Sequence, residues 1–215
     1  MGRYYTFRHF IIPLLDNCPT LDLGCGTGEF LKWCPIGSIG IDISNDFLKI
    51  CENKGLKCIY SDLNQSLPFE SASFSRVLLI HTLEHIENPI NLLREINRIL
   101  NKEGKVIIAL PRESTFLELF DKYFIDHPYH LYSFSLRNIK HLLKRAGFIV
   151  ERIFYDLPKI FEILTPLVNA LPSWLAINIC FSYWIVASKK TDDLSYIETI
   201  MGNEMLAKNW ENNKK

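Results

Sequence analysis

Leu21-Asp22-Leu23-Gly24-Cys25-Gly26-Thr27-Gly28 is the stretch on which the fold turns. Thr20 to Leu23 is short, apolar and β-prone, which predicts a buried strand. Gly24 to Gly28 then predicts a loop, and Glu29 to Trp33 the start of a helix. Glycine tolerates positive φ and lets a ligand approach the backbone closely. The first N–H groups of a helix have no partner within it and can face a ligand. A strand, a glycine loop and a helix in that order bind a nucleotide-like molecule at the carboxyl end of a parallel strand.

The spacing narrows the ligand. A dinucleotide fingerprint is G-x-G-x-x-G. Here the third glycine falls one residue early, at Gly28, and Glu29 follows it, a poor neighbour for a pyrophosphate. No Lys-Ser or Lys-Thr follows, so the Walker pattern is also unmet. The loop therefore suits a ligand without phosphates. Three carboxylates surround it. Asp42 ends the second predicted strand 18 residues after Gly24, about where a ribose-binding acid belongs. Asp62 follows the third strand and can accept from an adenine amino group. Asp22 adjoins the loop and can take an ammonium directly or through water. S-adenosylmethionine, a cationic adenosine carrying an amino-acid end, matches that charge pattern.

Further along the chain, apolar runs alternate with amphipathic segments, which predicts an α/β fold with a mainly parallel sheet. Strands are expected at 38–41, 57–60, 74–80, 105–110, 148–154 and 181–188. Helices are expected at 3–15, 45–53, 89–100 and 136–146, with another around 194–206. Ser44 or Asn45 suits the N-cap of the second helix, and Pro89 the first turn of the third. Gly104 is read as a turn into the fifth strand and Gly147 as a C-cap.

The ordered series of motifs resembles the class I S-adenosylmethionine-dependent methyltransferases of the ubiquinone-biosynthesis type, from Leu21 to about Phe154. The matching pieces are residues 21–28, Gly-Ile-Asp-Ile-Ser (40–44), Ser-Asp-Leu (61–63), Leu-Pro-Phe (67–69) and Phe-Ser-Arg-Val (74–77). His-Thr-Leu-Glu-His-Ile (81–86), Asn88-Pro89, Arg94-Glu95-Ile96 and Gly-Lys-Val-Ile-Ile (104–108) complete the set. The resemblance implies a Rossmann-like, seven-stranded, mainly parallel sheet with an antiparallel last strand and helices on both faces. It implies S-adenosyl-L-methionine as cofactor and S-adenosyl-L-homocysteine as product. It implies that Gly24, Gly26, Asp42, Asp62 and Leu63 contact the cofactor, and that His81 sits near the methionine moiety. Asp22, Cys25, Thr27, Gly28 and Ile43 complete the expected cofactor set.

Methyl transfer is an in-line displacement that depends mainly on alignment. A general base is needed where the acceptor keeps its proton at neutral pH. His127 and His130 follow the fifth strand on the ligand side, in Asp-His-Pro-Tyr-His-Leu-Tyr-Ser-Phe (126–134), and either can serve as base. Tyr132 can position the acceptor. His81, Glu84 and His85 show the H-x-x-E-H spacing of one zinc-enzyme class. The run matches the resembled family's post-strand segment, so no metal is expected.

Lys plus Arg number 24, equal to Asp plus Glu, and apolar residues make up 48% of the 215-residue chain. Such a neutral chain lacks the field of a general nucleic-acid binder, so a small-molecule acceptor is expected and no nucleic acid. The six cysteines include no C-x-x-C pair and read as thiols in a reducing, cytoplasmic setting. No signal peptide is visible, and Met1-Gly2 with Thr6 meets only a short myristoylation pattern.

The expected organisation is one domain over 1–190 with a polar, partly helical tail at 191–215. The short N-terminal helix lies within 1–19, and acceptor-side lids are expected at 112–135 and 156–180. Residues 163–188 carry no charge, yet Pro166 and Pro172 interrupt them. Residues 161–179 are therefore read as a lid or as a greasy face for lipid or a partner. Two other functions compete. One is a cofactor-binding subunit without catalysis. The other is a nicotinamide-dependent oxidoreductase, which needs the glycine spacing absent here.

Overall fold

A computed structural model of the protein describes residues 3–112, 130–157 and 159–190. His127, most of the 112–135 segment and the whole 191–215 tail, with its expected helix, lie outside the described residues.

Seven strands form one sheet: β1 (Thr20–Leu23), β2 (Ile39–Asp42), β3 (Cys58–Tyr60), β4 (Phe74–Ile80), β5 (Leu100–Pro111), β6 (Phe148–Asp156) and β7 (Ser182–Lys189). Their spatial order is β3-β2-β1-β4-β5-β7-β6. Neighbours from β3 through β5 pair parallel, while β7 runs antiparallel to both β5 and β6. The expected Rossmann-like, mainly parallel sheet with its antiparallel last strand is present. Strand order reverses between β1 and β4. Open α/β sheets hold ligands at such a point, beyond the carboxyl ends of the strands.

The helices are α1 (Arg3–Thr6), α2 (Asn45–Asn53), α3 (Pro89–Ile99), α4 (Leu136–Arg145), α5 (Thr165–Asn169) and α6 (Ser173–Ile179). Local chemistry sets their starts. Ser44 accepts from the Phe47 N–H, Asn88 from Asn91 and Ser135 from Asn138, three side-chain N-caps. Gly147 follows α4 at φ 84°, the left-handed turn that glycine adopts without steric cost. α3 lays Leu92, Leu93, Ile96 and Ile99 into the main core, which α4 joins through Ile139 and Leu143. Each such side chain contributes roughly 1.5–3 kcal/mol by leaving water.

The segment expected as one helix over 3–15 is continuous but changes geometry. After α1 it widens to a π turn (Phe7–Ile11) and tightens to a 3-10 turn (Ile12–Leu15) around Pro13. Phe7, Ile11 and Leu15 pack on Leu78, Ile80, Ile107, Ala109, Trp184 and Val186. This segment thus covers one face of the central strands. Asp156 ties it down, accepting from the buried Thr6 hydroxyl and from the Ser182 hydroxyl and Trp184 indole of β7.

Two local expectations are corrected. Glu29 to Trp33 forms no α-helix, only turns and a 3-10 helix at Leu31–Trp33. Pro35 explains it: the residue before a proline is pushed to extended backbone, and Cys34 lies at φ −74°, ψ 155°. Gly104 is not a turn between helix and strand. β5 already begins at Leu100, which pairs with Phe74, and residues 101–104 form an irregularity before Lys105 pairs with Arg76. A Cβ on Gly104 would stand 2.8 Å from Leu100 Cβ, so the bulge closes tightly there.

Candidate active site

The glycine loop is held from below by the neighbouring strand. Gly24 and Cys25 N–H both donate to the Ile41 carbonyl, at 2.8 and 3.0 Å. Gly26 N–H donates to Asp42 Oδ2 at 2.8 Å, and Ser44 N–H to Asp42 Oδ1 at 2.9 Å. Asp42 therefore braces the loop as well as ending β2. Gly26, at φ 52°, has nothing within 4 Å of where a Cβ would be, so its outer side is open to a ligand. Gly28 is the opposite case: at φ 78° its missing Cβ would lie 2.3 Å from Leu56 Cδ1 and 3.1 Å from Cys51 Sγ. Thr27 accepts at its carbonyl from Lys54 Nζ, 2.7 Å away.

Asp22 is buried in the middle of β1, and its Oδ2 has no hydrogen-bond partner among the described residues. Burial, and secondarily the charge of Asp42, push its carboxyl from 3.8 up to about 7. Asp62, half-buried after β3, accepts the Asn64 N–H at 2.9 Å. Leu63 is buried, whereas Ile43 exposes 57% of its surface beside Asp42. These residues share one edge of the sheet, at the carboxyl ends of β1, β2 and β3.

β4 completes that edge. His81 stands at φ 51° with its N–H donated to Ala109 O, a left-handed conformation unusual outside glycine. The following Thr82 is a residue that pattern reading missed. Its hydroxyl donates to Leu23 O at 3.1 Å, crossing the β1–β4 switch point. A Cβ on Gly24 would meet the Thr82 side chain at 2.6 Å, so a glycine and a threonine fit together there. Lys54 was missed as well; nothing in its spacing singles it out, since it reaches the loop only through the packing of α2.

Cys25, Cys51 and Cys58 gather beneath the loop, their sulfurs within 4.8 Å of one another. Burial pushes the Cys58 thiol up to about 12 and raises Cys25 further in the same direction. The Cys51 thiol donates to Gly26 O at 3.2 Å. All six cysteines are free, as expected.

The residues expected on the acceptor side, His130 and Tyr132, are drawn to the end of β4 rather than standing alone on a loop. Leu131 and Tyr132 N–H both donate to the Glu84 carbonyl, at 2.8 and 3.2 Å. The Tyr132 hydroxyl donates to Glu87 O at 2.8 Å, so that side chain is anchored. His130 packs edge-on against His85, ring centroids 4.8 Å apart. A cavity of about 370 Å³ opens nearby, lined by Arg112, Ser133, Phe134, Asn138, Asn178 and Tyr183 among others. It brings the ends of the 112–135 and 156–180 segments together. A larger groove of about 650 Å³ runs along β6 and contains none of the expected site residues.

Residues 161–179 fold as a 3-10 segment, α5 and α6, and leave apolar side chains in water. Ile163, Leu167 and Trp174 are exposed, Ile163 by 83%. Among the described residues no helix is long and apolar enough to cross a membrane.

Comparison with known proteins places this geometry. Residues 4–153 match the family described as methyltransferase domain. A solved S-adenosylmethionine-dependent methyltransferase from Archaeoglobus fulgidus superposes with a TM-score of 0.68 at 25% identity, covering 88% of this chain and 95% of that one. An uncharacterized protein of Methanocaldococcus jannaschii is 32% identical over 151 residues, 65% of this chain and 71% of that protein. A mouse protein named probable tRNA methyltransferase 9B is 31% identical over 105 residues, 47% of this chain but 23% of its own length.

Proposed function

Because this chain belongs to the methyltransferase domain family and is S-adenosylmethionine-dependent, we propose that it transfers the methyl group to a small-molecule acceptor. The acceptor has lipid-like or sugar-like chemistry. The observation that carries the cofactor half is Asp22, a buried carboxylate with an unpartnered oxygen beside an open glycine loop. Such a group is costly until a cation meets it. The ammonium of the cofactor is that cation.

The remaining roles follow from position. Asp42 accepts the ribose hydroxyls on the lone pairs that its two backbone donors leave over. Asp62 accepts from the adenine amino group, and Ile43 and Leu63 hold the ring between apolar surfaces. Gly24 to Gly28 admit the amino-acid end close to the backbone, with His81 beside it. The bound cofactor supplies a methyl carbon already activated by its sulfonium. The protein's task is to align an acceptor atom with that carbon and exclude water. Tyr132, fixed by Glu87, shapes the acceptor side. His127 or His130 takes the acceptor's proton where one must leave. The neutral chain and the half-enclosed cavity support a small acceptor over a nucleic acid, and Arg112 on the cavity wall suits a polar or anionic group on it.

Calorimetric titration with S-adenosylmethionine and S-adenosylhomocysteine tests the cofactor reading. Micromolar binding is expected, weakened at least tenfold in Asp42→Ala. Labelled methyl transfer to a panel of lipids, phenols, glycans and tRNA then tests the acceptor. Labelling confined to tRNA overturns the small-molecule proposal. Cofactor binding with no labelled product across the panel moves the non-catalytic subunit ahead.

A further inference from the structure

We propose that Glu84, His85 and His130 form a binding site for a divalent transition-metal cation at the acceptor end of β4. One ligand atom from each lies within 4.8 Å of the other two. Two imidazoles and one carboxylate make a donor set that Zn²⁺, Co²⁺ or Fe²⁺ prefers over Mg²⁺ or Ca²⁺, which favour oxygen ligands. The H-x-x-E-H run alone does not make this site. The third ligand, His130, comes from a segment 45 residues beyond His85 and was invisible to sequence spacing.

Two further observations point to a cation. Glu84 is 1% exposed, and neither of its carboxylate oxygens has a hydrogen-bond partner among the described residues. Among the described residues the positive candidate within 4 Å is His81 Nδ1, 3.6 Å from Oε1 and too far for a good hydrogen bond. A buried carboxylate is ordinarily paired or bound to metal. The approach of His130 is also built, because the next two N–H groups, of Leu131 and Tyr132, clamp onto the Glu84 carbonyl. Around one ion, ligand atoms at about 2.0–2.2 Å would stand roughly 3–3.5 Å apart. Modest χ rotations of His85 and His130, on the more exposed side, supply that closure.

Three protein ligands leave coordination positions open. If the methyl-transfer reading holds, on which this consequence alone rests, an acceptor hydroxyl bound at an open position would release its proton to solvent more readily. His130 would then act as a ligand and not as the base.

The full-length protein, stripped with chelator and desalted, is titrated with Co²⁺ alone, by calorimetry and visible absorption. One site per chain is expected, with weak ligand-field bands of nitrogen and oxygen coordination. Affinity should fall at least about tenfold in His85→Ala and in His130→Ala. Glu84→Gln should lose binding too; because it is buried and can disturb folding, the two histidine variants carry the test. No Co²⁺ binding by the wild type overturns the proposal. So does unchanged affinity in both histidine variants, or the intense absorption of sulfur coordination, which would place the ion at Cys25, Cys51 and Cys58. S-adenosylhomocysteine titrations of the two histidine variants should be unchanged, so the metal site and the cofactor site can fail separately.

Discussion

Asp22 is where a single residue carries most of the consequence. With its carboxyl raised to about 7 by burial, the folded protein keeps a proton that the unfolded chain releases near 3.8. Without a bound cation, this group therefore makes stability fall as pH rises from about 4 to 7. On the proposed pairing of the cofactor ammonium with the ionised Asp22 carboxylate, cofactor binding has the opposite slope, because binding below about pH 7 must expel the proton. Affinity for S-adenosylhomocysteine should tighten up to about tenfold per pH unit between pH 5 and 7 and level off above. Asp22→Asn should flatten that profile. A wild-type affinity that does not change between pH 5 and 7 would remove Asp22 from the cofactor contacts.

At the scale of elements, the N-terminal segment is the part whose role the chain order conceals. Residues 3–15 could have capped the ligand edge; they cover a face of the sheet instead. Phe7 is fully buried against Phe30, with centroids 4.9 Å apart, and Trp184, at 6.0 Å. Phe7→Ala should cost about 3–5 kcal/mol in urea unfolding. Cofactor affinity measured on the folded variant should stay within about twofold, because Phe7 packs on Phe30, Trp184 and the β4–β5–β7 face. A loss of cofactor affinity without a loss of stability would return the segment to the active site. The β1–β2 connection makes a similar point. Pro35 limits it to turns and one 3-10 helix, and the loop relies on Asp42 and Ile41, not a long helix dipole, for its shape.

For the whole molecule, the open question is what meets the apolar surface over 161–179. Exposed Ile163, Leu167 and Trp174 sit on the short helices of a segment whose α6 helps to line the cavity of Arg112, Phe134 and Tyr183. Large exposed apolar patches mark partner or lipid contacts. Flotation with liposomes should carry a measurable fraction of the wild type upward, and Trp174→Ser with Leu167→Ser should reduce it. Failure of the wild type to float with any vesicle composition, zwitterionic or anionic, would leave the segment as a lid over the cavity.

Local chemistry settled the parts of this protein that depend on near neighbours in the chain. The glycine spacing and the acids at strand ends announced a phosphate-free nucleoside ligand. Period and caps placed α2 at its observed bounds and α3 within one residue. Buried apolar runs marked the strands, and β4 falls where it was expected. Folding alone decided what depends on distant segments meeting. Thr82 reaches Gly24 because β4 lies beside β1; Lys54 reaches Thr27 because α2 packs beneath the loop. His130 reaches Glu84 because two backbone hydrogen bonds fasten one segment to the end of another. Residues far apart in sequence share no periodicity, so their meeting is written only in the order of the strands and the surfaces those strands bury.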